Sequence, residues 1–312
     1  MYDRRALVLA AGLGTRLHPL TLARAKAAAP VDGEPLVSRT IRWLVSQGFD
    51  DLVVNLHHKP ETITSVVGDG SGLGARVRYS WESPVLGSAG GPRHALPLLT
   101  DGNVGRTCVV VNGDTLTNVD LRAMLDRHRR TGALVTMALI PNPRPDKYGG
   151  VLLDADGGVT GFTRRGSGET SLHFIGPQVI EADPFMRLED GVPSESVLGL
   201  YPQLMAERPG SVRGFVCDSP FHDIGTPADL LQTSLELAAA DGRPDRPRWG
   251  RDAAVDPSAR VTRSVLWDRV RIGTGATLDE CVVADDVEIP AGASYARAAI
   301  VRHDGQLIVA AL

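Results

Sequence analysis

A glycine turn follows the first apolar run of the chain and leads to two cations. The segment contains, in order, Leu9, Ala10, Ala11, Gly12, Gly14, Thr15, Arg16 and, further on, Lys26. Backbone N–H groups approach phosphate oxygens closely at glycines, because no Cβ intervenes. Arg16 can neutralise phosphates in a forked geometry, and Lys26 can add a mobile positive charge. The segment therefore predicts a site for a polyphosphate.

Gly-x-Gly alone is weak evidence, since a tight turn without a ligand also explains two glycines. The segment lacks the third glycine of the dinucleotide-binding fingerprint and the Gly-Lys-Ser/Thr of the P-loop. For Lys26, a solvated surface charge is the alternative interpretation.

Two aspartates are candidate metal ligands. Asp114 follows the apolar run 108–111, and Asp223 lies much later in Phe-His-Asp-Ile-Gly-Thr. A carboxylate at the carboxyl end of a parallel strand lies where α/β sheets bind ligands. Mg²⁺ commonly takes one or two carboxylates together with substrate phosphates. Either aspartate by itself could instead cap a helix or form a turn.

Short apolar strands alternate with segments of helical spacing up to about residue 240. This alternation is typical of a parallel sheet covered by helices. The pattern predicts strands over 6–11, 52–56, 108–111 and 134–140, and helices over 36–47 and 120–130.

The last third of the chain carries an internal repeat. Residues 241–252 are rich in proline, glycine and charge, which predicts an exposed linker. Beyond the linker, apolar residues recur every 17 positions in three columns: Val255, Ile272 and Ile289; Val261, Leu278 and Tyr295; Leu266, Val283 and Ile300. Stacked coils bury such columns together, so the repeat predicts a parallel β-helix of about three coils. A few antiparallel strands with accidental spacing are the alternative.

The composition excludes several classes of protein. A chain of 312 residues with 43% hydrophobic residues predicts one large domain and a smaller one. A formal charge of -4 argues against nonspecific binding to nucleic acid. The 3 cysteines are widely separated, which favours core packing over disulfides or zinc. Since no run approaches the roughly 18 to 20 apolar residues of a membrane span, we expect a cytoplasmic protein without a membrane partner.

The whole first segment is more specific than its glycines. Gly-Leu-Gly-Thr-Arg-Leu-His-Pro-Leu-Thr, ending at Lys26, resembles the signature of the sugar-phosphate nucleotidyltransferases. The departure is Ala25, where that family usually has proline before the lysine. Members of the family join a nucleoside triphosphate to a sugar 1-phosphate and release pyrophosphate. The resemblance implies a Rossmann-like mixed α/β sheet domain over 1–240 and, after the linker 241–252, a small left-handed β-helix over 253–312.

The resemblance also implies roles for particular residues. Arg16 and Lys26 would be catalytic, and Asp114 and Asp223 would jointly hold Mg²⁺. The residues expected to bind the nucleotide are Leu9, Ala10, Ala11, Gly12, Gly14, Thr15, Glu82, Gly87, Gly90 and Asn112. Those expected to bind the sugar phosphate are Tyr148, Gly149, Arg164, Arg165, Gly176 and Glu195. Arg164 or Arg165 would replace the lysine of the family's Glu-Lys-Pro motif, although a solvated arginine pair is equally consistent.

The substrates are expected to be a nucleoside triphosphate and a sugar 1-phosphate, but neither the base nor the sugar is decided. The architecture is similar to that of the mannose-1-phosphate guanylyltransferase type, and uridylyl or thymidylyl transfer to another sugar is the alternative. A non-catalytic regulatory subunit that binds an NDP-sugar is a second alternative, and an acyltransferase site on the β-helix is a third. We expect a homo-oligomer formed through the β-helix, because an open face would expose apolar edge strands.

Overall fold

The computed structural model describes residues 5–100 and 107–312. Its residues fall into two compact units. The first comprises the described residues of Met1–Gly12, Thr40–His57 and Val67–Phe221, and the second comprises Leu13–Arg39, His58–Val66 and His222–Leu312. The segment with Arg16 and Lys26 thus belongs to the same unit as the last third of the chain.

Among the described residues, thirteen strands precede the linker: β1 (Arg5–Leu9), β2 (Pro30–Val31), β3 (Glu34–Pro35), β4 (Asp51–Leu56), β5 (Arg76–Trp81), β6 (Thr107–Asn112), β7 (Thr115–Thr117), β8 (Val135–Pro141), β9 (Gly150–Leu153), β10 (Val159–Thr163), β11 (Leu172–Glu181), β12 (Val212–Val216) and β13 (Phe221–Asp223). The helices are α1 (Leu36–Ser46), α2 (Pro60–Val67), α3 (Gly87–Thr100), α4 (Leu121–Thr131), α5 (Ala182–Met186), α6 (Tyr201–Glu207) and α7 (Pro227–Ala240).

The first unit is built on a mixed sheet, as expected, and nine of the described strands belong to it. Its main path runs β10-β9-β11-β6-β1-β4-β5, and β8 pairs with β11 and β12. β4, β6 and β5 continue a parallel arrangement around β1, whereas β11 runs antiparallel to β6 and β8. The apolar runs of the parallel strands are buried. Leu7, Val53 and Val110, for example, have no surface exposed to solvent. The strands therefore form the core, and their carboxyl ends remain to carry polar groups.

Two predicted boundaries are wrong for physical reasons. The first strand, predicted over 6–11, ends at Leu9, because the N–H groups of Ala10 and Ala11 bond to the side chain of Asn55. The helix predicted from residue 120 begins at Leu121, because Asp120 is its N-cap and accepts from the N–H groups of the first turn.

The β-helix of the second unit has three faces. Its strands are β14 (Ala254–Val255), β15 (Arg260–Thr262), β16 (Val265–Leu266), β17 (Arg271–Ile272), β18 (Thr277–Asp279), β19 (Val282–Val283), β20 (Glu288–Ile289), β21 (Ser294–Ala296), β22 (Ala298–His303) and β23 (Gln306–Ala311). The faces are β14-β17-β20, β15-β18-β21 and β16-β19-β22, and the pairs along each face are parallel.

The strand register confirms the 17-residue repeat. Val255 pairs with Ile272 and Ile272 with Ile289, and the other two predicted columns pair in the same way. Each column takes the same place in successive coils, so the single spacing of 17 residues determines the register of every strand pair. Strand β23 turns back and pairs antiparallel with β22. It therefore covers the edge strand of the last coil on this face.

All three cysteines are free, with Cys108 and Cys281 buried and Cys217 half-buried. Core packing is therefore confirmed for Cys108 and Cys281. No helix within residues 5–100 and 107–312 has the length and apolar character needed to cross a membrane.

A partly buried polar cluster joins α4 to the sheet of the first unit. The ring of His128 lies 2.8 Å from Thr136 Oγ1 and 3.0 Å from Glu181 Oε1, and the Thr107 hydroxyl donates to the same oxygen at 2.8 Å. Burial by itself raises the pKa of Glu181, but the hydrogen bonds from His128 and Thr107 outweigh it, and the pKa of Glu181 is lowered. The ionised carboxylate therefore stabilises the fold.

We expect Glu181→Gln to lower the free energy of unfolding by about 1 kcal/mol at neutral pH. Because the pKa of Glu181 is lowered in the folded state, this contribution is complete above the ordinary value of 4.5 and disappears as the pH falls through the lowered pKa. Urea unfolding between pH 3 and 7 measures the effect. Glu207→Gln is the control, since Glu207 pairs with Arg187 on the surface. An equal loss for Glu181→Gln at every pH would contradict the assignment.

Candidate active site

The first unit has a cleft at the carboxyl ends of β1 and β6. These strands are parallel, and their last residues, Leu9 and Asn112, pair with each other. The cleft has a volume of about 250 Å³ and is lined by Leu9, Ala11, Gly12, Asn55, Glu82, Val85, Gly87, Ser88, Asn112 and Asp114. Seven of the residues predicted from the sequence thus come together: Leu9, Ala11, Gly12, Glu82, Gly87, Asn112 and Asp114.

A hydrogen-bonded chain connects the two loops of this cleft. Asn55 Oδ1 accepts from the N–H groups of Ala10 at 2.5 Å and Ala11 at 3.2 Å. Asn55 Nδ2 donates to Glu82 Oε1 at 2.6 Å, and Glu82 Oε2 accepts from the N–H of Leu86 at 2.8 Å. The two side chains therefore hold the glycine turn and the loop before α3 in one arrangement.

Sequence reasoning missed Asn55. The sequence feature that could have pointed to it is an amide side chain within the otherwise apolar run of β4, Leu-Val-Val-Asn-Leu. A polar group buried in such a strand requires hydrogen-bond partners. The partners lie in two other segments of the chain. The sequence pattern could flag Asn55 as unusual, but it could not identify what the amide holds.

Asn55→Asp should destabilise the protein by about 2 to 4 kcal/mol, because it removes the donor to Glu82 and buries two carboxylates in contact. The exchanged pair Asn55→Asp/Glu82→Gln should recover most of this loss. In that pair a Gln amide donates to the new Asp, and acceptors remain for Ala10, Ala11 and Leu86. Urea unfolding of both variants and of the wild type tests this. Equal stability of the single and double variants would show that the bonds do not matter.

The first turn of α3 also contacts the segment around Glu195. The Ser88 hydroxyl donates to Glu195 Oε2 at 2.7 Å and accepts from the Ser196 N–H at 2.8 Å. Gly87 has φ 77°, and a Cβ there would lie 2.7 Å from Glu195 Oε1. Glycine is therefore required at this position. Glu195, predicted to bind sugar hydroxyls, lies against the first turn of α3, whose Gly87 and Ser88 line the cleft.

Gly90 has a packing role in this structure. It is buried, and a Cβ there would lie 2.8 Å from the carbonyl oxygen of Val192. The N–H of Gly90 donates to the Ser194 carbonyl at 3.1 Å. Close packing of α3 on the segment 192–194 explains this glycine.

The second unit brings Arg16 and Asp223 together. Thr15 and Arg16 begin a short 3-10 turn, and Arg16 Nη1 lies 3.9 Å from Asp223 Oδ2. The Arg16 side chain is 62% exposed and Asp223 is 14% exposed, so the guanidinium is accessible to a ligand. Asp223 is the last residue of β13, and Thr226 is the N-cap of α7. A capping role is therefore filled by Thr226, not by Asp223.

Lys26 lies in the same unit behind the glycine turn. It is buried, and a Cβ at Gly14 would lie 2.9 Å from Lys26 Cβ. Gly14 has φ 61°, so the left-handed backbone and the close approach both favour glycine. The solvated-surface interpretation of Lys26 is wrong, because only 9% of this residue is exposed.

Aromatic side chains and cations surround Tyr148 in the first unit. Tyr148 stacks on His173 with ring centroids 4.3 Å apart, and Phe221 meets both rings edge-on. Lys147 Nζ lies 5.1 Å from the centroid of the Tyr148 ring. Sequence reasoning did not select Lys147, His173 or Phe221.

The other residues predicted for the sugar side lie around this cluster. Gly149 accepts from the ring of His173 at 3.3 Å. Arg164 and Arg165 are exposed in a turn whose Gly166 N–H donates to the Pro145 carbonyl at 2.7 Å. Gly176 has φ 108°, and a Cβ there would lie 3.0 Å from Asn112 Nδ2 in the wall of the cleft.

The carboxylates predicted to hold a metal are distributed over the two units. Asp114 lines the cleft of the first unit, and Asp223 lies beside Arg16 in the second. Within residues 5–100 and 107–312, no group of three or more His, Cys, Asp or Glu side chains could hold a metal ion. A donor set of one or two carboxylates fits Mg²⁺ when substrate phosphates supply further oxygens.

Comparison with known protein families identifies the family of this chain. Residues 5–239 match the family described as nucleotidyl transferase, and residues 249–301 match a GlmU-like C-terminal hexapeptide region. The chain belongs to the nucleotidyl transferase family. The predicted resemblance to sugar-1-phosphate nucleotidyltransferases is thereby confirmed, and so is the expectation that the chain is an enzyme.

Three curated relatives of this nucleotidyl transferase are informative. Mannose-1-phosphate guanylyltransferase of Mycobacterium tuberculosis is 31% identical, over 92% of this chain and 81% of that protein. D-glycero-alpha-D-manno-heptose 1-phosphate guanylyltransferase of Aneurinibacillus thermoaerophilus is 32% identical over 74% and 97%. N-acetylmuramate alpha-1-phosphate uridylyltransferase of Neisseria meningitidis is 33% identical over 76% and 99%.

Solved structures agree on the fold of the nucleotidyl transferase. HddC from Yersinia pseudotuberculosis superposes with a TM-score of 0.65 at 21% identity, over 76% of this chain and 100% of that chain. A second structure of HddC, in complex with GMP-PN, gives a TM-score of 0.63 at 21% identity over the same shares of the two chains.

Proposed function

We propose that this nucleotidyl transferase is a guanylyltransferase that acts on mannose 1-phosphate. The observation that carries the choice of base is the buried carboxylate of Glu82, which is 5% exposed in the wall of the cleft. Its oxygens accept from Asn55 and Leu86, and a carboxylate has capacity for about four hydrogen bonds. Glu82 therefore retains acceptor capacity for a nucleotide base.

Guanine is the base that suits such an acceptor. Its Watson–Crick edge has adjacent N1–H and N2–H₂ donors, whereas uracil and thymine present one N–H between two carbonyl oxygens. A buried carboxylate attracts the first pattern and repels the carbonyls of the second. The match to the Mycobacterium tuberculosis enzyme supports the same choice and the mannose substrate, since it extends over 92% of this chain.

In the proposed reaction, a phosphate oxygen of the sugar phosphate attacks the α-phosphorus in line and pyrophosphate leaves. The attacking oxygen is already anionic, so the enzyme must mainly hold two anions together and stabilise the charge of the transition state. Arg16 and Lys26 bind the triphosphate and the leaving pyrophosphate. Bound Mg²⁺, held by Asp114 and Asp223, would supply positive charge to the phosphates.

At the sugar end, we propose that Tyr148, Gly149, Gly176 and Glu195 contact the hydroxyl groups. Arg164 or Arg165 binds the sugar phosphate in place of the family's lysine. The hydrogen bond of Gly166 to Pro145 supports this assignment, because it holds the arginine turn next to the loop that carries Tyr148.

The proposal includes a cytoplasmic homo-oligomer assembled through the β-helix, with neither nucleic acid nor membrane as partner. Light scattering of the purified protein measures its mass in solution. A mass of one chain at micromolar concentration would exclude the oligomer.

A pairwise screen tests the substrates. GTP, UTP, dTTP, ATP and CTP are each combined with mannose, glucose and N-acetylglucosamine 1-phosphates, and pyrophosphate release is measured with Mg²⁺. We expect the highest kcat/KM for GTP with mannose 1-phosphate. A higher value for UTP or dTTP would overturn the choice of base, and a higher value for another sugar would overturn the choice of mannose.

A further inference from the structure

Arg24 lies between Arg16 and Lys26 in the chain and is buried against the β-helix of the second unit. Its Nε lies 2.5 Å from Asp285 Oδ2, and its Nη2 lies 2.6 Å from Asp285 Oδ1 and 2.7 Å from Asp268 Oδ2. The Arg24 side chain is 10% exposed, and the two aspartates are 9% and 12% exposed. This is a desolvated, forked ion pair rather than a surface contact.

The two aspartates occupy equivalent positions in successive coils. They are separated by 17 residues, and the N–H of Asp268 donates to Asp285 Oδ1 at 3.0 Å. Neighbouring strands of stacked coils lie about 4.8 Å apart, so two ionised carboxylates in one column repel each other. The guanidinium of Arg24 contacts both carboxylates and offsets part of this repulsion, and Arg251 Nη2 lies 3.3 Å from Asp268 Oδ2. The side chain also lies over the buried ring of Trp267, with Cζ 5.7 Å from the centroid.

The bonds of Arg24 restrain the segment on either side of it. Arg24 follows the 3-10 turn Leu20–Leu22 and precedes the turn Lys26–Ala28. Between them, the N–H of Ala25 donates to Thr62 Oγ1 at 3.0 Å. Ala25, at the position where the family usually has proline, is therefore held by a hydrogen bond that proline could not donate.

A second anchor lies further along the same segment. Asp32 is 1% exposed and accepts from Arg243 Nη2 at 2.7 Å and from the N–H of Arg248 at 2.6 Å. Both arginines belong to the segment 241–252, which was expected to be an exposed linker. The segment that carries Arg16 and Lys26 is therefore attached to the C-terminal part of its unit at two points.

We propose that Arg24 is a positioning residue for nucleotidyl transfer, which uses Asp268 and Asp285 of the β-helix to hold Arg16 and Lys26 in place for the triphosphate. The β-helix then takes part in binding the nucleoside triphosphate. This inference rests on the phosphate-binding roles proposed above for Arg16 and Lys26.

Steady-state kinetics of Arg24→Ala and Asp285→Asn test the proposal. We expect kcat/KM for the nucleoside triphosphate to fall by about 10- to 100-fold, because small displacements of positioned groups have effects of this size. KM for the sugar 1-phosphate should change less than about 3-fold, and Arg24→Lys should recover part of the loss. Hydrogen exchange of residues 13–29 should accelerate in Arg24→Ala.

Arg269→Ala and Asp286→Asn are matched controls. This ion pair lies in the adjacent position of the same coils, with Nε 2.6 Å from Oδ1, but both side chains are at least half exposed. Both controls should keep kcat/KM within about 2-fold and leave the exchange of residues 13–29 unchanged. Normal kinetics in a folded Arg24→Ala protein would overturn the proposal.

A neutral variant covers the case in which Arg24→Ala fails to fold. Arg24→Gln/Asp268→Asn/Asp285→Asn removes the buried charges together, so no carboxylate is left unpaired. A folded triple variant with wild-type kinetics would also overturn the proposal. Arg16→Ala separates the two hypotheses: if Arg16→Ala is impaired and the Arg24 variants are not, only the positioning role fails, whereas a normal Arg16→Ala rejects the phosphate-binding role itself.

Discussion

Asp114→Asn should reduce kcat by about 10³-fold or more while leaving the protein folded. The substitution preserves the shape of the side chain in the cleft wall but removes the negative charge proposed to hold Mg²⁺. A bound metal contributes several kcal/mol to stabilisation of charge in phosphoryl transfer, and each 1.4 kcal/mol is about a factor of ten in rate. Pyrophosphate release at saturating substrates measures the loss.

Two controls accompany this variant. Asp156→Asn changes an exposed aspartate of the same unit and should keep kcat within about 2-fold. Removal of divalent ions with EDTA should abolish wild-type turnover, and added Mg²⁺ should restore it. An undiminished rate of pyrophosphate release by Asp114→Asn would reject the assignment of this carboxylate.

Arg16→Ala should lower kcat/KM for the nucleoside triphosphate by about 10²- to 10³-fold, the usual cost of deleting one donor that stabilises transition-state charge. Because the Arg16 side chain is 62% exposed, truncation removes little packing, and the melting temperature should hardly change. Activity and stability are therefore expected to separate in this variant.

Arg260→Ala is the matched control for Arg16→Ala, since it removes an exposed arginine from β15 in the same unit. Its kcat/KM should equal that of the wild type. Arg16→Lys should recover part of the lost activity, because the charge returns without the forked geometry. Wild-type kinetics for Arg16→Ala would show that this guanidinium does not bind the triphosphate.

The fold could be predicted from local patterns because burial imposes a period on the chain. Apolar runs predicted β1, β4, β6 and β8 to within a few residues at each end. The boundary of β1 failed because the amide of Asn55, far along the chain, takes the N–H groups that would otherwise extend the strand. Such competition is invisible to a pattern read over a few neighbouring residues.

Part of the candidate site could also be predicted from the sequence, because the positions of the strands determine which residues meet at the edge of the sheet. Residues that follow parallel strands meet at one edge of a sheet, so Gly12, Asn112 and Asp114 could be expected in one cleft. Glu195 was predicted to bind sugar hydroxyls, and the structure adds that its carboxylate accepts a hydrogen bond from Ser88. Its position depends on how a distant segment packs against α3, and no local pattern encodes that.

The amino-acid sequence alone determined the family, the glycine turn with its cations and the register of the β-helix, because each is written in residues that are close together or strictly repeated. Only the tertiary structure showed which buried side chains hold these segments in position. Asn55 reaches Ala10 and Glu82, and Arg24 reaches Asp268 and Asp285, across long separations in the chain. Partners of buried polar groups are selected by packing in three dimensions, whereas periodicity reports only which residues are buried.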